Sequence, residues 1–540
     1  MRTAFDRRAL LRLAAVGGGV AALPASLRAQ LPPPRGFTHS VASGDPGRDA
    51  VRLWTRFVGA GDAPAMLRVA VAADPGFGRI VARAEAAADP AHDWCVRPRV
   101  ADLNPGTWYY YRFTGPDGSV SPVGRTRTLP AGRTTKFNVA VFSCSNKAFG
   151  YFNAYGHAAR RTDLDLIVHV GDYFYEYKPG VYPAAGSEVG GRVPRPDREL
   201  IALDDYRTRY ADYRLDPDLQ ALHRNFPVVS IWDDHEFAND SYKDGAENHQ
   251  PDEGPWEARK AHARQAYREW LPVADSVYTR YDIGDLVSML VVDTRIEGRD
   301  KQLDLGAAIR GGPAALLAFR DGAWRDPSRT LMGMAQEQWV ADNFKASTAQ
   351  RTRWQLLAQQ IVMGNLMTPR VAVDWLGADA SPRSRAYVQG GIAAASVGLP
   401  QSMDSWGGYP AARSRLLKGA QDAGANLVVV SGDSHNAWGC DLAEGGKPAG
   451  VEFAGTSVTS PGFESALKAD PAVVAAGLVA ANPELKWCDT SRRGYVTVRF
   501  TPDAARAEWV FMADVRTPGT ATGRGQAAVA AHGRNRMTLV

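Results

Sequence analysis

Residues Leu164–Tyr177 read LDLIVHVGDYFYEY, an apolar run that ends in a carboxylate and meets a phenol three residues later. Leu164, Leu166, Ile167, Val168 and Val170 are the near-continuous hydrophobics of a parallel strand covered on both faces. Gly171 allows a sharp turn, which puts Asp172 at the strand's C-terminal tip. In open α/β sheets that edge is where ligands bind. Tyr175 can turn back toward the same point, so a carboxylate and a phenolate would share one hard Lewis acid. Gly and Asp are also ordinary turn formers, so the reading depends on what the rest of the chain brings to that edge.

Working outward, the same unit recurs. FNVAVFSCSN, FPVVSIWDDHE, LVSMLVVDTR, RWQLLAQQ and NLVVVSGDSHN are each an apolar, largely β-branched run ending in polar, chemically capable residues. Helical patterns between them, EARKAHARQAYREWL and the stretch around MAQEQWVADNF, predict a layered α/β sheet. VEFAGTS, GYVTVRF and EWVFM follow as three further strands, read as the second sheet of a sandwich. Before these units, Phe37 to Leu129 is a series of short β segments, with Tyr109, Tyr111 and Phe113 alternating against Trp108, Tyr110 and Arg112. This predicts a small immunoglobulin- or fibronectin-like domain packed beside the larger one.

The tips collect Cys144; Asp172 and Tyr175; Asp233, Asp234, His235 and Glu236; Asp293 and Arg295; and Asp433 and His435. Every group but Arg295 is a potential metal ligand. Asp433 and His435 face the same side if extended, whereas adjacent Asp234 and His235 point apart. Thiolate and phenolate suit Fe(III), and the oxygen donors suit a harder divalent ion such as Ca²⁺, Mg²⁺ or Mn²⁺. Two such ions sharing a carboxylate make the clamp used for in-line displacement at phosphorus. Each residue also has a plainer reading. Cys144 is equally a buried core thiol, and as a cysteine-phosphatase nucleophile it fails because Gly150, not arginine, stands six residues on. His169 reads as a hydrogen-bonded core histidine, and Asp293 with Arg295 as a salt bridge or a phosphate contact. HExxH, GxxxxGK[ST] and a complete GxSxG are all missing from the chain.

The 540 residues are 45% hydrophobic and 22% charged, the balance of a globular protein large enough for more than one domain. The net charge of +5 does not mark a nucleic-acid surface, because residues 1–29 hold five arginines against Asp6 and the rest is nearly neutral. Paired Arg7 and Arg8, a Leu/Ala/Val/Gly run to Leu23 and small residues to Ala29 read as a twin-arginine export signal, despite Asp6 and no clean AxA cleavage site. The expected mature protein is periplasmic or secreted, engages the twin-arginine machinery and has no membrane span. Cys95, Cys144, Cys440 and Cys488 are too few for a disulfide scaffold, and one bridge, Cys440 to Cys488, is the favoured pairing.

GDxxY at Gly171–Tyr175, WDDHE at Trp232–Glu236 and GDSH at Gly432–His435 resemble, in order, the motif blocks of metallophosphoesterases. With FSCSN, DTR, RTLMGMAQEQW and DSWGGYP, the chain is similar nearly throughout to the PhoD-like alkaline phosphatases. The resemblance implies a metallophosphoesterase-like layered β-sandwich flanked by helices, spanning 135–515, after an all-β domain at 36–129 and before a tail at 516–540. It implies Fe(III) on Cys144, Tyr175 and His435, with Asp172 bridging to Ca²⁺ held by Asp234 and Asp433. His235 would orient phosphate or assist the leaving alkoxide, and Asn146 or Arg295 would supply phosphate hydrogen bonds. Gly407 departs from the aspartate many members carry in DSWDGY, which puts an additional Ca²⁺ contact there in question. The expected activity is hydrolysis of phosphate esters, diesters at least as well as monoesters. The alternatives are action on phospholipid or teichoic-acid-like polymers and a non-catalytic periplasmic binding protein.

Overall fold

The apolar run within Leu164–Tyr177 folds as the strand Leu166–His169, all four residues buried. It is central because parallel partners flank it on both sides: Ile167 lies opposite Ala140 of Phe137–Phe142 and opposite Val228 of Pro227–Ser230. Truncating a fully buried isoleucine such as Ile167 costs about 2–5 kcal/mol. The computed structural model describes residues 35–540, so the export signal expected at 1–29 lies outside the described residues.

Two large sheets form a sandwich, one of eleven strands and one of seven. In the second, Met289, Leu356 and Val428 point into the layer shared with Val139, Ile167 and Val228. Their neighbours Leu290, Leu357 and Val429 point outward and pack with Val340, Phe344 and Leu417 of the helices Met334–Ala349 and Pro410–Asp422. Strands buried on both faces need no polar alternation, which explains the continuous apolar runs. The helices Asn153–Ala159, Leu203–Arg214, Pro217–Asn225 and Trp256–Trp270 add to the core of the first sheet.

The sheets divide differently from the expected order. Phe137–Phe142, Leu166–His169 and Pro227–Ser230 lie in the larger sheet, while Val287–Val291, Trp354–Ala358 and Leu427–Ser431 lie in the smaller. Lys447–Ala454 joins the smaller sheet beside Leu427–Ser431, but Gly494–Phe500 crosses back to pair antiparallel with Phe137–Phe142.

The amino-terminal β domain is a two-layer structure with Tyr109, Tyr111 and Phe113 facing a core that includes Leu53 and Val69. One of its layers is not separate, since Gly36–Gly44 pairs parallel with Pro227–Ser230 and extends the larger sheet. At the other end, the expected tail contains strands Gln526–Ala531 and Met537–Leu539, which add to the opposite edge. All four cysteines are buried and free, so the expected Cys440–Cys488 bridge is not formed. No helix among the described residues is long and apolar enough to cross a membrane.

Candidate metal centre

The polar tips meet at the C-terminal ends of the strands. Cys144, Asp172, Asp433 and His435 all adopt positive φ, between 53° and 62°. Left-handed backbone is unfavourable for residues with a Cβ and persists where the surroundings over-determine it, as they do at functional sites. Gly171, with φ 100°, is required for a second reason: a Cβ there would lie 2.3 Å from that of Asp233. The loops bearing Asp172 and Asp233 therefore touch through a glycine. Glu236 locks them together, its carboxylate accepting from the backbone N–H groups of Asp172 at 3.0 Å, Tyr173 at 2.6 Å and Asp233 at 2.7 Å. A tip residue that read as a potential ligand is thus turned toward backbone.

Three overlapping groups bring donor atoms within 4.8 Å of one another: Cys144, Asp172 and His435; Asp172, Asp234 and His235; and Asp233, Asp234 and Asp433. Asp172 belongs to two of them. Tyr175 joins the first, its hydroxyl 3.0 Å from Asp172 Oδ2 and 3.0 Å from His435 Nε2. Ser460 Oγ lies 2.6 Å from that hydroxyl. His435 Nδ1 lies 3.0 Å from the Pro461 carbonyl, a contact that turns Nε2 toward the cluster.

Arg295 organises the other end. Its guanidinium is fully buried and reaches Asp233 through Nε, Asp404 through Nη1 at 2.8 Å and Asp433 through Nη2 at 2.6 Å. Its salt bridges are with Asp233, Asp404 and Asp433 rather than with Asp293. Asp293 instead accepts from Trp232 Nε1 and from the backbone N–H groups of Arg295, Ile296 and Glu297, which fixes the turn. Asn146 is buried, with Nδ2 at 3.4 Å from the Tyr182 carbonyl and Oδ1 accepting from Phe149 N–H. His169 is hydrogen-bonded to Tyr155 at 2.8 Å, as a core histidine.

His235 Nδ1 lies 2.6 Å from Glu176 Oε2, and the other Glu176 oxygen accepts from Asn239 N–H and Asn248 Nδ2. Burial alone would push the His235 pKa down, but the carboxylates of Asp234, Asp172 and Glu176 override it and raise it well above the ordinary value. Burial opposes the Glu176 charge, yet His235 and the hydrogen bonds hold that carboxyl at about 2. Glu176 lies inside the opening stretch and escaped the sequence reading; its position next to Tyr175 was the available signal.

The donors fit metal ions. Asp172 Oδ1 and Asp233 Oδ2 are buried without a hydrogen-bond partner. Burial pushes the pKa values of Cys144, Asp172 and Tyr175 well up, and each is raised further by a neighbouring anion. A thiol, a phenol and several carboxylates packed this closely are stable as anions only beside added positive charge. Arg295 supplies that charge among Asp233, Asp404 and Asp433, and no arginine or lysine pairs with Cys144, Asp172 or Tyr175 among the described residues. Gly407 is buried, and a Cβ there would lie 2.8 Å from that of Pro400 and 3.3 Å from Asn365 Oδ1, so an aspartate would displace its neighbours.

Comparison with known proteins places this geometry. Residues 139–509 match the model of the PhoD-like phosphatase family, and residues 23–130 match that of the PhoD-like phosphatase N-terminal domain. The chain is 36% identical over 517 residues to alkaline phosphatase D of Bacillus subtilis (strain 168), covering 90% of this chain and 79% of that protein. A solved structure of PhoD superposes with a TM-score of 0.78 at 32% identity, covering 94% of this chain and 93% of the other. The chain belongs to the PhoD-like phosphatase family and is a hydrolase acting on phosphate esters.

Proposed function

We propose that the protein is an exported phosphodiesterase and phosphomonoesterase with two unlike metal ions, Fe(III) and Ca²⁺. The observation that carries this reading is the sharing of Asp172 between a group containing a thiol and an imidazole and a group rich in carboxylates. Cys144, Tyr175 and His435 would hold the iron, Asp234 and Asp433 the calcium, and Asp172 would bridge them. When bound, the ions lower the pKa of water and draw charge from the phosphoryl oxygens.

The chain's own residues supply orientation and the proton. Glu236 and Gly171 fix the Asp172 and Asp233 loops, so the bridging carboxylate is held before substrate arrives. Arg295 holds Asp433 and Asp233 in place from beneath. His235, kept charged by Glu176 and its aspartate neighbours, donates a proton from Nε2 to the departing alkoxide. Asn146 would add a hydrogen bond to phosphate after exchanging its contact with the Tyr182 carbonyl. Residues 1–29 would direct export by the twin-arginine route.

The test is elemental analysis of the purified protein beside turnover of bis(p-nitrophenyl) phosphate and p-nitrophenyl phosphate, with and without chelator. Iron and calcium in comparable amounts, with chelator-sensitive turnover of both esters, is the expected result. Full turnover by protein free of both elements would overturn the assignment.

A further inference from the structure

We propose that an apolar pocket, walled in part by segments that continue from the metal centre, binds an alkyl ester group of the substrate. The inference rests on diester hydrolysis at the metal centre. A cavity of about 260 Å³ is lined by Ala372, Trp375, Val388, Phe463, Leu467 and Leu478, with Arg383, Ser384 and Gln401 among the few polar contributors. That volume approaches the lower end of small-molecule sites, roughly 300 Å³. Its chemistry is unlike that of the metal centre, where almost every wall is ionisable.

Two of its walls continue directly from segments that close the metal centre. Pro461, whose carbonyl contacts His435 Nδ1, lies two residues before Phe463, and the Phe463 N–H donates to Asn436 Oδ1 at 3.2 Å. Gln401 lies three residues before Asp404, which pairs with Arg295 at 2.8 Å. A third wall is the helix Pro382–Ser396, which supplies Val388. Imperfect packing also leaves apolar voids, but such voids have no reason to be accompanied by exposed apolar side chains. Here Tyr387, a lining residue on that helix, is 60% exposed. Apolar surface gathered around a pocket marks a binding region. An alkyl chain matches the apolar lining, in which Arg383 is the one charged residue.

The experiment is a series of p-nitrophenyl alkyl phosphates, methyl, butyl and octyl, below their micelle-forming concentrations. kcat/KM should rise about three- to fourfold for each methylene the pocket buries. Leu467→Asp and Ser384→Trp should each cut the octyl-to-methyl ratio by about tenfold or more, with methyl ester turnover within about twofold of wild type. An octyl-to-methyl ratio near one in the wild-type protein overturns the inference, as does a ratio unchanged in both variants. Loss of methyl ester turnover in a variant identifies a folding defect, and the wild-type series then decides alone. No turnover of the methyl ester by wild type would instead overturn the diesterase reading.

Discussion

The two ends of the site are built by opposite means. Around Cys144, Tyr175 and His435 the donors are a thiol, a phenol and an imidazole, held by neutral partners such as Ser460 and the Pro461 carbonyl. Around Asp233, Asp234 and Asp433 the donors are all carboxylates, and buried Arg295 and Arg299 offset their charge together with that of Asp404. The first end has no arginine or lysine paired with its thiol or phenol among the described residues, whereas the second already holds cationic side chains. Under the proposed assignment a strongly charged ion that tolerates sulfur goes to the first, and a weaker oxygen-seeking one to the second. Asp172 groups with Cys144 and His435 on one side and with Asp234 and His235 on the other, so under the proposed assignment its loss would be felt at both ends.

Three substitutions test that contrast, in descending order of the fold-change expected in what each one reads. His235→Ala, between the ends, should lower kcat by about 10²- to 10⁴-fold while leaving both ions in place, measured by steady-state kinetics beside elemental analysis. An alanine variant with normal kcat would remove His235 from the reaction. Tyr175→Phe should abolish any visible iron–phenolate absorption and weaken iron retention by about 10- to 100-fold with calcium unchanged. Retention of the colour would place the phenol outside the iron site. Glu176→Gln should lower kcat by about tenfold or more. It removes a negative neighbour of protonated His235, so the His235 pKa falls and the alkaline limb of kcat moves to lower pH. An unmoved limb in that variant would mean that Glu176 does not tune the histidine.

The reach of the sequence follows from distance along the chain. Asp172 and Tyr175 were legible because one strand and one turn carry both, and Asp433 and His435 because they follow Leu427–Ser431 in the same way. Sheet membership was not, because Gly494–Phe500 returns to Phe137–Phe142 across most of the chain and no local pattern records that pairing. Gln526–Ala531 escaped notice because QAAVAA has only one β-branched residue, and its strand character comes from pairing with Ala504–Phe511. Glu176 reads as an ordinary acidic residue beside better candidates, and Glu236 as a potential ligand rather than a lock on backbone. Their roles depend on partners 59 and 64 residues away, His235 Nδ1 and the Asp172 N–H. Arg295 was visible as a charged tip, but its choice of Asp233 over Asp293 depends on how the two sheets face each other, and its choice of Asp433 on strand order within the smaller sheet.

The central claim is that one carboxylate serves two unlike ions, and Asp172→Asn addresses it most directly. Iron and calcium should be counted per chain in wild-type and variant protein purified alike, with turnover of bis(p-nitrophenyl) phosphate measured on the same samples. The account predicts that both metals fall together and that turnover drops by at least about 10³-fold. Loss of one metal with the other fully retained, or full turnover with both retained, would contradict it.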